Sequence, residues 1–107
     1  MRLSEFDKII SSEQLILIDF YASWSGVCRA MEQTLDRVAL AMGDMVTIKR
    51  VNISSIANTR LTKRYNIVTV PTLMLFYRGE PIWRYSGALA FERLCNIIRR
   101  HQTVEVY

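Results

Sequence analysis

Apolar residues fall along this chain in two rhythms. Leu15 to Phe20 reads LILIDF, an almost unbroken apolar run rich in β-branched residues, the pattern of a strand buried on both faces. From Cys28 onward the rhythm changes: Cys28, Met31, Leu35, Val38 and Met42 recur at steps of three and four, with Gly43 following as a C-cap, which predicts an amphipathic helix. Met45 to Ile53 runs apolar or alternates as a second strand, so strand, helix and strand compose a βαβ unit with a right-handed crossover. Ahead of it, Ser4 with Asp7 three residues on predicts a capping box on a short helix striped by Phe6, Ile9 and Ile10, ending near Ser12.

Beyond the βαβ unit, Ser54 or Ser55 caps a further helix carrying Ile56, Leu61 and Tyr65 and closed by Asn66. Thr72 to Tyr77 and Ile82 to Ser86 flank Arg78, Gly79, Glu80 and Pro81, a short turn that predicts an antiparallel hairpin. A last helix follows Gly87, with Phe91, Leu94, Cys95 and Ile98 on one face and mostly charged residues on the other. The predicted order is α β α β α β β α: an α/β chain with a mixed, mostly parallel sheet and helices on both faces. No repeat, linker or boundary interrupts it, so residues 1–107 are expected to form a single domain.

Composition narrows the reading. A chain of 107 residues, 50% hydrophobic and 22% charged, is too apolar for a disordered chain and has room for one core only. Its longest apolar runs, Leu15 to Ile18 and Leu73 to Tyr77, fall far short of the roughly 20 residues a membrane helix needs, so no membrane partner is expected. The stretch from Met1 to Ile10 mixes Arg2, Glu5, Asp7 and Lys8 with its apolar residues and lacks a signal-peptide core, which makes a cytoplasmic location the expectation. A net charge of +4 is modest, and the basic clusters Arg60, Lys63, Arg64 and Arg99, Arg100 carry no interleaved aromatics, so no nucleic-acid partner is expected either. Two cysteines, Cys28 and Cys95, make neither a disulfide scaffold nor a zinc site, and no metal or cofactor is expected. With His101 the only histidine and no G-x-S-x-G, a serine-hydrolase triad is not expected either.

Chemistry concentrates between the first strand and the second helix. There the backbone N–H groups and helix dipole of a helix start favour an anion, and a cysteine at such a start with a second three residues on forms an easily exchanged disulfide. Position 28 is a cysteine; position 25 is Ser25.

These residues carry a resemblance. LIDFYASWSGVC, Leu17 to Cys28, resembles the active-site strand and turn of the thioredoxin family, in which Trp, Cys, Gly, Pro, Cys stand where Trp24, Ser25, Gly26, Val27 and Cys28 stand here. Val70, Pro71 and Thr72 resemble the family's cis-proline loop, Gly79 and Gly87 its hairpin and pre-helix glycines, and Asp19 its buried acid; the likeness runs over residues 4 to 100. It implies a thioredoxin-like three-layer α/β/α sandwich. The family usually has an extra strand before its first helix, but only 14 residues precede Leu15, so the sheet is expected to have four strands.

The resemblance also implies roles. Cys28 matches the resolving cysteine, Ser25 the position of the attacking one, and Asp19 the acid that transfers the resolving thiol's proton. Arg50 stands where the family usually has a lysine, and a permanent guanidinium is expected to hold Asp19 ionised. Trp24, Gly26 and Val27 are expected to wall a substrate groove, with Pro71 in the cis form and the Val70 backbone free to pair with an extended peptide. Cys95 is read as core packing.

The activity implied is thiol–disulfide exchange in cell redox homeostasis, with disulfide-bearing proteins as substrates and a reductase such as thioredoxin reductase as electron donor. Ser25 is neither a redox centre nor, without a base, a nucleophile, so the chain as written is expected to be inactive and Ser25 to be an engineered replacement of cysteine. The alternative is a natural redox-inactive module that binds extended peptides or partner proteins in the same groove. A serine-type glutathione transferase would need a second helical domain for which this length has no room.

Overall fold

The computed structural model describes residues 1–102; residues 103–107, included in the single domain expected from the sequence, lie outside the described residues. Among the described residues four strands and four helices follow in the order α1 (Leu3–Ile10), β1 (Leu15–Tyr21), α2 (Gly26–Met42), β2 (Val46–Asn52), α3 (Thr59–Arg64), β3 (Thr72–Tyr77), β4 (Glu80–Ser86) and α4 (Phe91–Arg100), with single 3-10 turns at Gly43–Met45 and Ile56–Asn58. The sheet order is β2-β1-β3-β4. β1 runs parallel to β2 and antiparallel to β3, and β3 and β4 form an antiparallel hairpin. The four-strand count agrees with the sequence pattern, and residues 1–2 add no strand; the sheet is mixed as expected but not mostly parallel, because β3 runs antiparallel to both of its neighbours.

β1 and β3 are the inner strands, and their period of two divides the core into two clusters. Leu15 and Leu17 of β1 and Leu73 and Leu75 of β3 pack with Met31, Leu35 and Val38 of α2 and Leu94 and Ile98 of α4. On the opposite face Ile16, Ile18 and Phe20, with Met74 and Phe76, pack against Phe6 and Ile10 of α1 and Leu61 of α3. Phe6 is fully buried and meets Phe76 edge to face at a centroid distance of 5.7 Å, with Tyr65 5.5 Å from each ring. The result is a sheet with helices on both faces.

Two start signals differ from expectation. Arg2, not Ser4, caps α1: the Glu5 carboxylate accepts from the Arg2 N–H at 2.9 Å, and Ser4 lies inside the helix. The capping role moved toward the N-terminus because Glu5 is the acid within reach of that backbone N–H. Likewise Ser55 precedes a 3-10 turn rather than the helix itself, and Asn58 caps α3. Asn66, at φ 53°, ends that segment in the left-handed region.

The hairpin turn needs glycine. Arg78 and Gly79 both have positive φ, 52° and 85°, the left-handed pair that suits the twist of a two-residue hairpin. Their N–H groups donate to Ser12 O at 3.1 Å and Ile10 O at 2.8 Å, tying the hairpin to the end of α1. β4 is the exposed edge, and Pro81 sits on it opposite Phe76, where a bulge interrupts the register.

Because Phe76 has no exposed surface and two aromatic partners, Phe76→Ala is expected to cost about 3–5 kcal/mol in urea unfolding. Leu40→Ala, on the outer face of α2 with 88% of its surface exposed, is expected to change stability by less than about 0.5 kcal/mol.

Candidate active site

β1 ends at Tyr21, and the four residues that follow turn the chain into α2. Ser25 closes the turn: its N–H donates to Ala22 O at 3.2 Å, and its Oγ accepts the Cys28 N–H, also at 3.2 Å. Ser25 is thus the N-cap of α2, with extended backbone, and it is 8% exposed. Cys28 lies on the first turn with 1% of its surface exposed. Trp24 and Val27, by contrast, stand 72% and 54% exposed on either side of this cap, and Gly26 is exposed between them. The turn therefore presents apolar side chains to solvent while it withdraws its thiol.

β3 brings the second strip of the site. In the antiparallel register Phe20 pairs with Thr72, which sets Pro71 beside the end of β1 where the turn departs. The Val70–Pro71 peptide is cis, as expected from the sequence. Pro71 O accepts the Gly87 N–H at 2.8 Å, and the buried Thr72 hydroxyl donates to Thr69 O at 2.6 Å, so the loop is held at both ends. Among the described residues neither the N–H nor the C=O of Val70 has a hydrogen-bond partner. Val70 is half-buried.

Asp19 occupies a position that the alternation of β1 assigns to the apolar face shared with Leu15 and Leu17. It is fully buried. Its β2 partner in the register is Arg50, whose Nε donates to Asp19 Oδ2 at 3.0 Å, while Asp19 Oδ1 has no hydrogen-bond partner among the described residues. The guanidinium has two further contacts. Its Nη1 lies 3.3 Å from Glu32 Oε1 of α2, and its Cζ stands 3.9 Å over the ring of Tyr21. A pocket of about 270 Å³ opens here, lined by Tyr21, Ser23, Cys28, Arg29, Glu32 and Arg50.

Arg50 is where the sequence implied, but its pull on Asp19 is not the dominant one: burial pushes the Asp19 carboxyl above its ordinary range, and the hydrogen bond and charge of Arg50 offset only part of the rise, to which the Glu32 charge adds. A single N–H contact is a weaker answer to full burial than a forked pair that engages both oxygens.

Of the residues singled out from sequence, Trp24, Ser25, Gly26, Val27 and Cys28 lie on the turn and the first turn of α2, Asp19 lies two residues before the end of β1 and is bound to Arg50, and Pro71, with Val70 before it, enters β3 beside the end of β1. Cys95 is 2% exposed in the core between α2 and α4. Glu32 and Tyr21 were missed. The signal was available for Glu32, since it lies four residues after Cys28 and so on the same helix face, and Tyr21 follows Asp19 by two on the same face of β1.

Comparison with known proteins agrees with this arrangement. A family model described as thioredoxin matches residues 1–100. Thioredoxin of Chlamydia pneumoniae is 36% identical over 96 residues, covering 90% of either chain. The chloroplastic thioredoxin Y of Oryza sativa subsp. japonica is 37% identical over 92 residues, 85% of this chain, although the chain spans only 54% of that protein's length. Among solved structures, a mutant thioredoxin from Halobacterium salinarum superposes with a TM-score of 0.85 at 26% identity, covering 99% of this chain and 90% of its own.

Two outcomes are expected of the site itself. A carboxyl that binds its proton more tightly folded than unfolded makes the fold lose stability as pH rises from the ordinary aspartate range through its raised value. Asp19→Asn is therefore expected to gain stability relative to the parent as pH rises from the ordinary aspartate range through the raised value, read by urea unfolding at a series of pH values. Cys28, because it is buried, is expected to be alkylated by iodoacetamide at neutral pH no faster than free cysteine, and Cys95 to resist until the protein unfolds; rapid labelling of native Cys28 would show an accessible, activated thiol.

Proposed function

The chain belongs to the thioredoxin family, and on that premise we propose that it is a thioredoxin-type protein disulfide oxidoreductase, a scaffold for thiol–disulfide exchange in cell redox homeostasis, with Ser25 standing at the position of the attacking cysteine. The observation that carries this reading is the pocket that Cys28 shares with Arg50, the residue hydrogen-bonded to Asp19. It places a buried thiol at the start of a helix in the same pocket as the cation that hydrogen-bonds a buried acid.

With a sulfur at position 25 the chemistry balances as follows. The thiolate of residue 25 attacks one sulfur of a substrate disulfide; that S–S bond breaks, the first substrate sulfur leaves as thiolate, and a mixed disulfide forms. Cys28 then gives its proton to Asp19, and its thiolate attacks the sulfur of residue 25. The mixed disulfide breaks, the second substrate sulfur leaves, and two electrons have passed from the dithiol to the substrate. A dithiol reductant or a reductase such as thioredoxin reductase returns them. In the chain as it stands an oxygen at position 25 forms no disulfide, so the cycle stops before its first step. We read Ser25 as an engineered replacement of cysteine, the whole chain as one domain, disulfide-bearing proteins as its substrates and the cytoplasm as its compartment. No helix among the described residues is long and apolar enough to cross a membrane.

A second reading rests on a separate observation. The exposed Trp24 and Val27 offer apolar surface and the unpartnered Val70 backbone offers main-chain hydrogen-bonding groups, and neither needs a sulfur to hold an extended peptide. In that reading Ser25 is native and the chain binds without exchanging. The codon for residue 25 in the native gene separates the two origins.

The chain as written is expected to leave insulin disulfides unreduced above the dithiothreitol background, and Ser25→Cys to confer reduction. An inactive, folded Ser25→Cys variant would remove the oxidoreductase reading and leave the binding module.

A further inference from the structure

Arg50 is a cation with three partners and only one of them is Asp19. Its guanidinium carries five N–H donors in a planar fork that could engage both oxygens of a carboxylate at once. Here it does not: Nε alone reaches Asp19 Oδ2, and Oδ1 is left without a partner although it is fully buried. Two further contacts engage the fork. Its Nη1 lies 3.3 Å from Glu32 Oε1, and its Cζ stands 3.9 Å from the centre of the Tyr21 ring.

We propose that Glu32 is a positioning residue that sets the proton affinity of Asp19, by holding the Arg50 guanidinium in a shared, one-armed contact on the face of Tyr21. Two effects act in the same direction. Glu32 takes up part of the positive charge that would otherwise favour the Asp19 carboxylate, and it prevents the two-armed contact that would satisfy Oδ1. Both favour the protonated acid. The groups around Asp19 are Arg50 from β2 and Glu32 from α2, the charges that act on it; Cys28, Arg29 and Tyr21, which line the pocket that Arg50 and Glu32 share; Leu73, its partner on β3; and the apolar Leu94 and Ile98 that α4 contributes to that face. Glu32 is half exposed at its side chain, so replacing it removes a charge and leaves the core intact.

A proton acceptor held closer to neutrality by its neighbours is better matched to taking a thiol proton and giving it back than one pinned as a permanent carboxylate. That consequence rests on the disulfide-exchange reading above. The positioning itself does not, and the experiment keeps the two apart.

The first arm titrates the Asp19 side-chain carboxyl by carbon-detected NMR in the chain as it stands, alongside Glu32→Gln, Glu32→Asp and, as a charge control on the far edge strand, Glu80→Gln. Glu32→Gln is expected to lower the Asp19 midpoint by roughly half a pH unit or more, Glu32→Asp to return it most of the way, and Glu80→Gln to leave it where it is. A midpoint that stays or rises in Glu32→Gln, or falls equally in Glu80→Gln, overturns the inference. The second arm repeats Glu32→Gln in the Ser25→Cys background and follows insulin reduction against pH; the acid limb is expected to move down with the titration. Should Ser25→Cys be inactive while the titration shifts as expected, the exchange reading fails and the role of Glu32 stands. Should activity be present and the titration unmoved, the reverse holds.

Discussion

A carboxyl on a strand that is buried on both faces has no water to turn to, and the candidate site is organised around that fact. Asp19 sits in β1 where the alternation of the sheet puts a core residue, fully enclosed, and the parallel register sets Arg50 across from it as the one cation that donates to it among the described residues. Desolvation of such a group outweighs a single hydrogen bond from a partly exposed guanidinium, so the acid is pushed toward its protonated form. Everything else about the site's proton chemistry depends on how Arg50 is shared among Asp19, Glu32 and the Tyr21 ring.

The helix start adds a second constraint. An N-cap must offer an acceptor to the first turn, and Ser25 does so with its Oγ on the Cys28 N–H. A hydroxyl is a better cap than a thiol and a far poorer redox centre, so the residue at position 25 serves the fold well and the proposed chemistry badly. The same cap orients its neighbours. Trp24 and Val27 are turned outward and Cys28 inward because they fall on different sides of the first turn, and this split gives one short segment both an exposed apolar lip and a shielded thiol. Pro71 and Thr72 are fixed by Gly87, Thr69 and the β1 register, while the Val70 backbone just before them has no hydrogen-bond partner among the described residues.

The sequence made the architecture legible because its signals are strong and local. LILIDF in β1, the three-and-four spacing from Cys28 to Met42 with Gly43 beyond, and the turn at Arg78 and Gly79 each specify an element by themselves, and their order admits few topologies. Where cues were equivalent, the pattern misled. Ser4 is as good a cap on paper as any residue near it, yet the cap lies two residues earlier because Glu5 could reach the Arg2 N–H. Ser54 and Ser55 likewise promised a helix that a 3-10 turn delayed to Thr59.

What the sequence determined by itself, then, is the set of elements, their order, the unusual acid in a buried strand, the serine at the helix start and the residues of the turn, because each is written in a short window of chain. What only the tertiary structure decided is how charge is divided at the site. Asp19, Glu32 and Arg50 lie on three different elements, and the sign of the shift at Asp19 follows from a balance of burial against contacts 3.0 Å and 3.3 Å long, with a ring 3.9 Å away. Such a balance depends on distances between side chains far apart in the chain, and a one-dimensional pattern carries identities and spacings but no distances of that kind.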